Sequence, residues 1–319
     1  MANGKDIRRR IKSINNTKKI TRAMEMVSAA KMKRAVAAVL AVRTYAQSAW
    51  SVLGNLARAF EKYELGLLER REVKNILIVV FASNRGLCGS FNAQIGRIVK
   101  DTLADPRKLK INRIGGKKIE SSVPNSELGI DFVTIGKKAE NIIRRLGKNI
   151  IATFPDLAHS TWVDDIRPLS KIVIEEYLAK KYDKVVIVYT DYISTISQKT
   201  KIRQILPVSK TDLEKQISEM EAHARGEIKD EFKIEYKVEP SPAEVLESIF
   251  PRLIEMQIFH ALLESNASEE SARMIAMRNA TDAAEEMADS FTLAYNQLRQ
   301  MKITQEIAEI SAGRAALES

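Results

Sequence analysis

Apolar positions recur at alternating steps of three and four along both ends of this chain. Ala35, Ala38, Val42, Tyr45, Ala49, Val52 and Leu56 obey that spacing near the start. Met274, Met277, Thr281, Ala284, Ala288, Phe291, Tyr295 and Leu298 obey it near the end. This is the heptad period of a left-handed coiled coil. No Gly or Pro interrupts residues 5–53 or 252–312, so the pattern predicts two long terminal helices. A helix of ~60 residues is ~90 Å long, and two such ends can pair antiparallel as a rod. A rod on a compact base suggests mechanical work before it suggests catalysis.

Between the two helices the period changes. Residues 75–82 (NILIVVFA) form a short apolar run rich in β-branched side chains, the pattern of a strand buried on both faces. Further strands are predicted at 130–135, 149–153 and 184–190, with helices to about 103, at 137–146 and at 164–181, where Pro168 falls in the first turns. Apolar strands alternating with helices indicate βαβ units and a mostly parallel sheet, hence an α/β fold class. Residues 199–208 and 232–238 are expected to add an antiparallel pair at an edge, a place that tolerates Pro207. Residues 105–129, with Pro106, Pro124 and the pair Gly115-Gly116, form an insertion or extended hairpin. A charged, helix-prone segment occupies 210–230. Pro242 starts a helix that Pro251 is expected to interrupt before the long last helix. The organisation predicted is a coiled-coil helix at 1–60, an α/β domain at 61–250 with insertions near 105–128 and 209–230, and a second coiled-coil helix at 251–319.

Charge sharpens this picture. The chain carries a net +10, and residues 1–50 alone hold 12 Lys or Arg against 2 Asp or Glu, so the remaining residues balance. Residues 261–319 hold 5 basic and 10 acidic residues, which modestly favours antiparallel pairing of the two ends. The surplus on the first helix (Arg8, Arg9, Arg10, Lys12, Lys18, Lys19, Arg22, Lys31, Lys33, Arg34) seeks an anionic partner: nucleic acid, lipid headgroups or an acidic protein surface. Cys88 is the only cysteine; this rules out an internal disulfide and fits a reducing compartment. The longest apolar runs, 35–42 and 76–82, fall far short of the ~20 residues that span a bilayer, and the start lacks the apolar stretch of a secretory signal.

Candidate chemistry is sparse. The element SNRGLCGSFN, 83–92, joins a strand to a helix but lacks the Lys-Ser/Thr of a phosphate loop and the three-Gly dinucleotide spacing. It reads as a tight turn whose Gly86 and Gly89 relieve crowding. Cys88 precedes a helix, where a thiolate would be stabilised, but His159, His223 and His260 show no triad spacing. Three scattered His and one Cys do not make a zinc site. Met24, Met26, Met32, Met274, Met277, Met287 and Met301 suit a helix seam, or a surface that must fit several environments in turn.

Three motifs, in order, resemble the gamma subunits of the F-type ATP synthases: IKSINNTKKITRAMEMVSAAKMKRA at the start, SNRGLCGSFN in the middle, and ARMIAMRNATDAAEEM with LAYNQLRQMKITQEIAEISAG at the end. The resemblance implies a rotor. The terminal helices would form an antiparallel coiled coil inside a ring of three alpha and three beta subunits. A Rossmann-like middle domain would form a foot on the c-ring beside epsilon. The subunit would make and break no bond, would need no cofactor or metal, would bind no nucleic acid, and would sit peripherally on the cytoplasmic face of a bacterial plasma membrane.

The resemblance also assigns residues. Arg299 and Gln300 match a pair that catches a loop of beta, with Thr304 one turn on, and Met24 matches a residue facing the beta lever. Tyr236 and Glu239 match the foot segment that meets the c-ring; Val238 stands where some members have Tyr. Asn84 stands where many have Asp. Ile303, Ile307, Ile310 and Leu317 form an apolar tip suited to a bearing with few directional bonds. The residues by themselves leave three other classes open. A nucleic-acid-binding coiled coil would explain the basic helix but not its acidic partner. A nucleotide-dependent enzyme would need a phosphate loop. An assembly scaffold would differ in the stoichiometry of its partners.

Overall fold

The computed structural model describes residues 4–60, 66–69, 71–114, 117–120, 123–124, 127–159, 162–208 and 242–318. The chain opens with α1 (Gly4–Phe60) and closes with α6 (Pro242–Glu318). Between them run β1 (Asn75–Phe81), α2 (Phe91–Ala104), the short α3 (Arg107–Lys110), β2 (Ile111–Ile114), β3 (Lys117–Glu120), β4 (Gly129–Ile135), α4 (Lys137–Arg145), β5 (Ile150–Phe154), α5 (Arg167–Leu178), β6 (Lys184–Tyr192) and β7 (Gln198–Leu206). The class is α/β, with long terminal helices.

The chain divides into two compact units. One joins residues 1–29 to 273–319; the other is 30–272. In the larger unit five strands form a mixed sheet in the order β5-β4-β1-β6-β7. The first three contacts are parallel and β6–β7 is antiparallel. β1 lies centrally because its side chains are apolar on both faces. Leu77, Val79 and Phe81 point into one core with Val133, Ile187, Val173 of α5 and Ile254, Ile258 and Leu262 of α6. Ile76, Ile78 and Val80 point into the other, with Ile95 and Val99 of α2 and Ile143 of α4. Alternate positions of one strand thus serve two helical layers, as expected of a buried parallel sheet.

Three features depart from, or refine, the sequence expectations. Pro251 does not break the last helix: α6 runs continuously through it. The carbonyl left without its N–H belongs to Glu247, which is exposed and can meet water, while Phe250, Leu253 and Ile254 on either side are buried and hold the turn in place. Next, β7, overlapping the strand expected at 199–208, pairs antiparallel with β6 and is the outermost strand of the sheet among the described residues. The second strand expected at 232–238, and the charged segment at 210–230, lie outside the described residues. Finally, the 105–129 insertion contains a two-stranded antiparallel hairpin, β2–β3. Lys184 donates to Ile111 O at 2.7 Å, and Lys110 donates to Val123 O. Buried ammonium groups therefore tie both ends of the hairpin to the unit.

Candidate functional site

In the smaller unit the two terminal helices pair antiparallel. On α6, Met277, Thr281, Ala284 and Ala288 are buried, the positions that the heptad spacing selects. On α1, Ile7, Thr21 and Ser28 are buried, and Ala35 continues the same strict spacing of seven in the larger unit. Sequence reading missed this earlier stretch because small and polar residues hold it. The interval of seven through Ile7, Ile14, Thr21, Ser28 and Ala35 was the available signal. Small side chains let the two backbones approach closely, and the contact is closed by a hydrogen bond from Thr281 Oγ1 to Thr21 Oγ1 at 2.8 Å. Arg10 stacks over Phe291 at 6.0 Å.

Charge complementarity between the ends is real but partial. Lys18 pairs with Glu285 at 2.6 Å across the helices. Being half exposed, such a pair contributes up to about 1 kcal/mol. Arg22 pairs with Glu25 and Arg9 with Asp6 within α1 itself. Arg8, Lys12 and Lys19 are exposed and have no ion-pair partner among the described residues. A basic face is left on α1.

The end of α6 is different. Gly4, at the start of α1, lies against the Tyr295 ring, and every described side chain from Arg299 to Arg314 is exposed. Thr304 Oγ1 donates back to Gln300 O at 3.0 Å. Gln305 bonds Glu309 and Lys302 reaches Glu306, both along the helix. Two faces follow from the helical spacing. Gln300 and Thr304 share a shallow groove with Gln297, Met301, Gln305 and Ala308. Arg299 lies about 100° round the helix, at the head of a stripe formed by Ile303, Ile307 and Ile310. Ile310 is 73% exposed. Arg299 has no partner among the described residues. Leu317 continues the helix.

Not all predicted site residues come together. Met24 is half-buried on α1, three residues past Thr21. From the Thr21–Thr281 contact, the rise of an α-helix puts it about 30 Å from Arg299 along the axis. Met24 and the Arg299–Gln300 pair are therefore separate stations on the same unit. Tyr236 and Glu239 lie outside the described residues.

The β1–α2 turn is a rigid joint. Leu87 and Gly89 both have positive φ, 63° and 57°. Asn92 Nδ2 donates to Ser83 Oγ at 2.7 Å and to Cys88 Sγ at 3.0 Å, so the buried thiol is held inside the turn. Asn84 donates to Pro155 O at 2.7 Å and accepts from Lys137 N at 2.9 Å, tying β1, the end of β5 and the start of α4 together. A doubly wound sheet opens its ligand crevice beside such a turn. Here α6 bonds to the end of β6: Ser268 donates to Thr190 O at 3.2 Å and Ser271 to Thr195 O at 2.6 Å. Ala272 packs on the core that holds Cys88 and Phe91. Among the described residues no group of His, Cys, Asp or Glu is arranged to hold a metal ion, and no helix is long and apolar enough to cross a membrane.

Comparison with known proteins places these features in one family. A family model described as ATP synthase matches residues 3–317. The chain is 38% identical over 319 residues to an ATP synthase gamma chain of Dehalococcoides mccartyi, covering 99% of this chain and all of that one. It is 37% identical over 317 residues to an ATP synthase gamma chain of Legionella pneumophila, covering 99% and 100%. Among solved structures, a chain of the Euglena gracilis mitochondrial ATP synthase (OSCP/F1/c-ring, rotational state 3) superposes with a TM-score of 0.62 at 19% identity, covering 98% of this chain and 94% of that chain. A chain of the Tetrahymena thermophila central stalk and c-ring gives 0.54 at 24%, covering 82% and 99%.

Proposed function

We propose that this chain, which belongs to the ATP synthase gamma-chain family, works as the turning shaft of the central stalk, coupling rotation of a c-ring to ATP synthesis or hydrolysis in an alpha3beta3 head. The observation that carries this reading is the bare end of α6. From Arg299 to Arg314 its described side chains are exposed, so an isoleucine stripe and an arginine without an ion-pair partner among the described residues stand ready for surroundings that those residues do not supply. Contiguous apolar surface of this kind marks a protein interface.

In this reading the stripe of Ile303, Ile307 and Ile310, with Leu317 beyond it, turns inside an apolar sleeve. Dispersion contacts without fixed directions hold a helix on axis yet permit rotation. Arg299 offers a planar fork of donors to a carboxylate on beta, with Gln300 and Thr304 adding neutral hydrogen bonds on the neighbouring face. Met24 and the basic face of α1 meet an acidic lever of beta at the second station. Tyr236 and Glu239 belong to the foot that meets the c-ring, beside epsilon. The subunit itself is non-catalytic: its work is to present different faces to three catalytic partners in turn. It acts peripherally, on the cytoplasmic side of a bacterial membrane, as part of an ion-translocating ATPase.

The test is direct. Immobilise the assembled complex by its head, attach a probe to a surface cysteine introduced at Lys148, and supply ATP. Stepwise turning of the probe is expected. A probe that stays still while the same molecules hydrolyse ATP would exclude the rotary role.

A further inference from the structure

Where α6 crosses the β6–β7 edge it carries a run of polar residues that the mechanical reading does not use. Gln257, His260, Glu264, Ser268 and Ser271 are all buried there. Facing them are Asp191 and Tyr189 of β6 and Lys201 and Arg203 of β7. Lys201 pairs with Asp191 at 2.7 Å, and Lys201 and Arg203 both lie over the Tyr189 ring, at 5.8 and 5.3 Å. α1 contributes Ala38 and Val39 to the adjoining core, and its Lys31 reaches Glu270 at 3.9 Å.

Glu264 is 5% exposed, and the negative charge of Asp191 bears on its carboxyl. Two interacting carboxyl groups out of water do not both ionise, so one keeps its proton. Asp191 already has an ammonium against it and a guanidinium nearby, so it keeps its negative charge. Glu264 Oε2 has no hydrogen-bond partner among the described residues, a condition that a neutral carboxyl tolerates far better than a carboxylate. Among the described residues, His260 Nδ1 also faces Glu264, but it stands 3.6 Å from Glu264 Oε1, longer than a hydrogen bond.

We propose that Glu264 is a proton-binding site: its buried carboxyl holds a proton, and thereby makes the docking of α6 on the β6–β7 edge depend on proton activity. The electrostatics agree in sign. Burial, then the charge of Asp191, push Glu264 well above its ordinary value of 4.5, against the opposing pull of Arg203 and Lys201. Burial would also raise Asp191, but the hydrogen bond and charge of Lys201 and the charge of Arg203 outweigh it and hold it below its ordinary value. A group whose folded value is raised contributes stability below its unfolded value and loses it as pH rises through the folded one. The clamp is therefore tight from pH 4.5 down to the titration of Asp191, and loosens as pH climbs through the Glu264 titration. This stands whether or not the chain turns.

The experiment uses the full chain. Record infrared spectra across pH and follow the carbonyl stretch of a protonated carboxylic acid in the parent, in Glu264→Gln and in His260→Gln. In parallel, measure hydrogen exchange of peptides spanning 257–271, corrected for intrinsic rates. The parent is expected to show the band above the ordinary carboxylate range, and Glu264→Gln to lack it. Between pH 4.5 and the titration of the band, protection of 257–271 should fall by about tenfold per pH unit, the slope of one linked proton, and it should level off once the band is gone. Glu264→Gln, a permanently neutral mimic, should keep its protection across that range. Absence of the band in the parent, which requires no variant to fold, would overturn the proposal. So would an unchanged pH profile in Glu264→Gln, or a profile flattened by His260→Gln instead.

Discussion

Thr281 Oγ1 donates to Thr21 Oγ1 at 2.8 Å across the paired terminal helices. Each hydroxyl also has a carbonyl on its own helix within reach, Met277 O at 2.8 Å and Lys18 O at 3.0 Å. The pair therefore sets the register of the two helices without leaving either group dependent on the other. A buried polar contact in an otherwise small-residue seam is a known way to fix register.

Thr281→Val should consequently be mild. It removes one hydrogen bond of about 1 kcal/mol and leaves Thr21 with Lys18 O. Thr281→Leu should cost more, about 1–3 kcal/mol, because the seam is closed by small residues and has no room for added methylenes. Hydrogen exchange of the peptides around 21 and 281 reads both. Equal loss of protection in the two variants would show that packing does not limit this contact.

Gly136 and Gly147 both have positive φ, +86° and +64°, yet they should respond differently to Ala. A Cβ on Gly136 would lie 2.1 Å from Ala82 O, whereas one on Gly147 meets nothing within 4 Å. Gly147→Ala should cost about 1 kcal/mol of left-handed backbone strain. Gly136→Ala should cost more than about 3 kcal/mol, since the β1 and β4 ends must also separate. Denaturant midpoints of the two variants check the contrast.

Tyr177 should make stability fall at alkaline pH. It is fully buried, with its hydroxyl donating to Glu69 O at 3.1 Å. Burial, resisted by Arg71 and aided by Glu69 and Asp183, pushes it up to about 12. Its contribution is present below pH 10 and is lost as pH rises from 10 through 12, about 3 kcal/mol in all. Tyr177→Phe should be less stable than the parent at neutral pH by about 1 kcal/mol and should lose less between pH 10 and 12. Parallel slopes for the two proteins in that window would contradict this.

Arg299→Ala with Gln300→Ala should lower ATP turnover of the assembled complex by about tenfold, the equivalent of about 1.4 kcal/mol, while assembly stays near normal. Both side chains are exposed in the chain itself, so their removal costs no internal contact. Turnover and recovered complex are measured on the same preparation. Full turnover in fully assembled double variant would remove these residues from the beta contact.

Much of the architecture was legible because it is written in local periods. Steps of three and four announced both long helices, and β1, β4 and β6 stood out as short β-branched runs that a sheet buried on both faces requires. The spacing from Arg299 to Ile310 was equally visible, since a helix end that no described residue covers obeys its own period. The early half of α1 was less so: Thr21 and Ser28 look like surface residues until Thr281 and Ala284 are brought against them.

What only the tertiary structure decided depends on neighbours distant in sequence. Pro251 stays helical because Phe250, Leu253 and Ile254 are held in a core; propensity alone favours a break. β7 pairs with β6 because the sheet edge is there to receive it. Glu264 reads as an ordinary helix-surface acid until Asp191 and the β6–β7 edge exclude water from it. Periodicity belongs to the chain, whereas desolvation belongs to the fold: the first is set by neighbours three and four residues away, the second by whatever long-range packing places alongside.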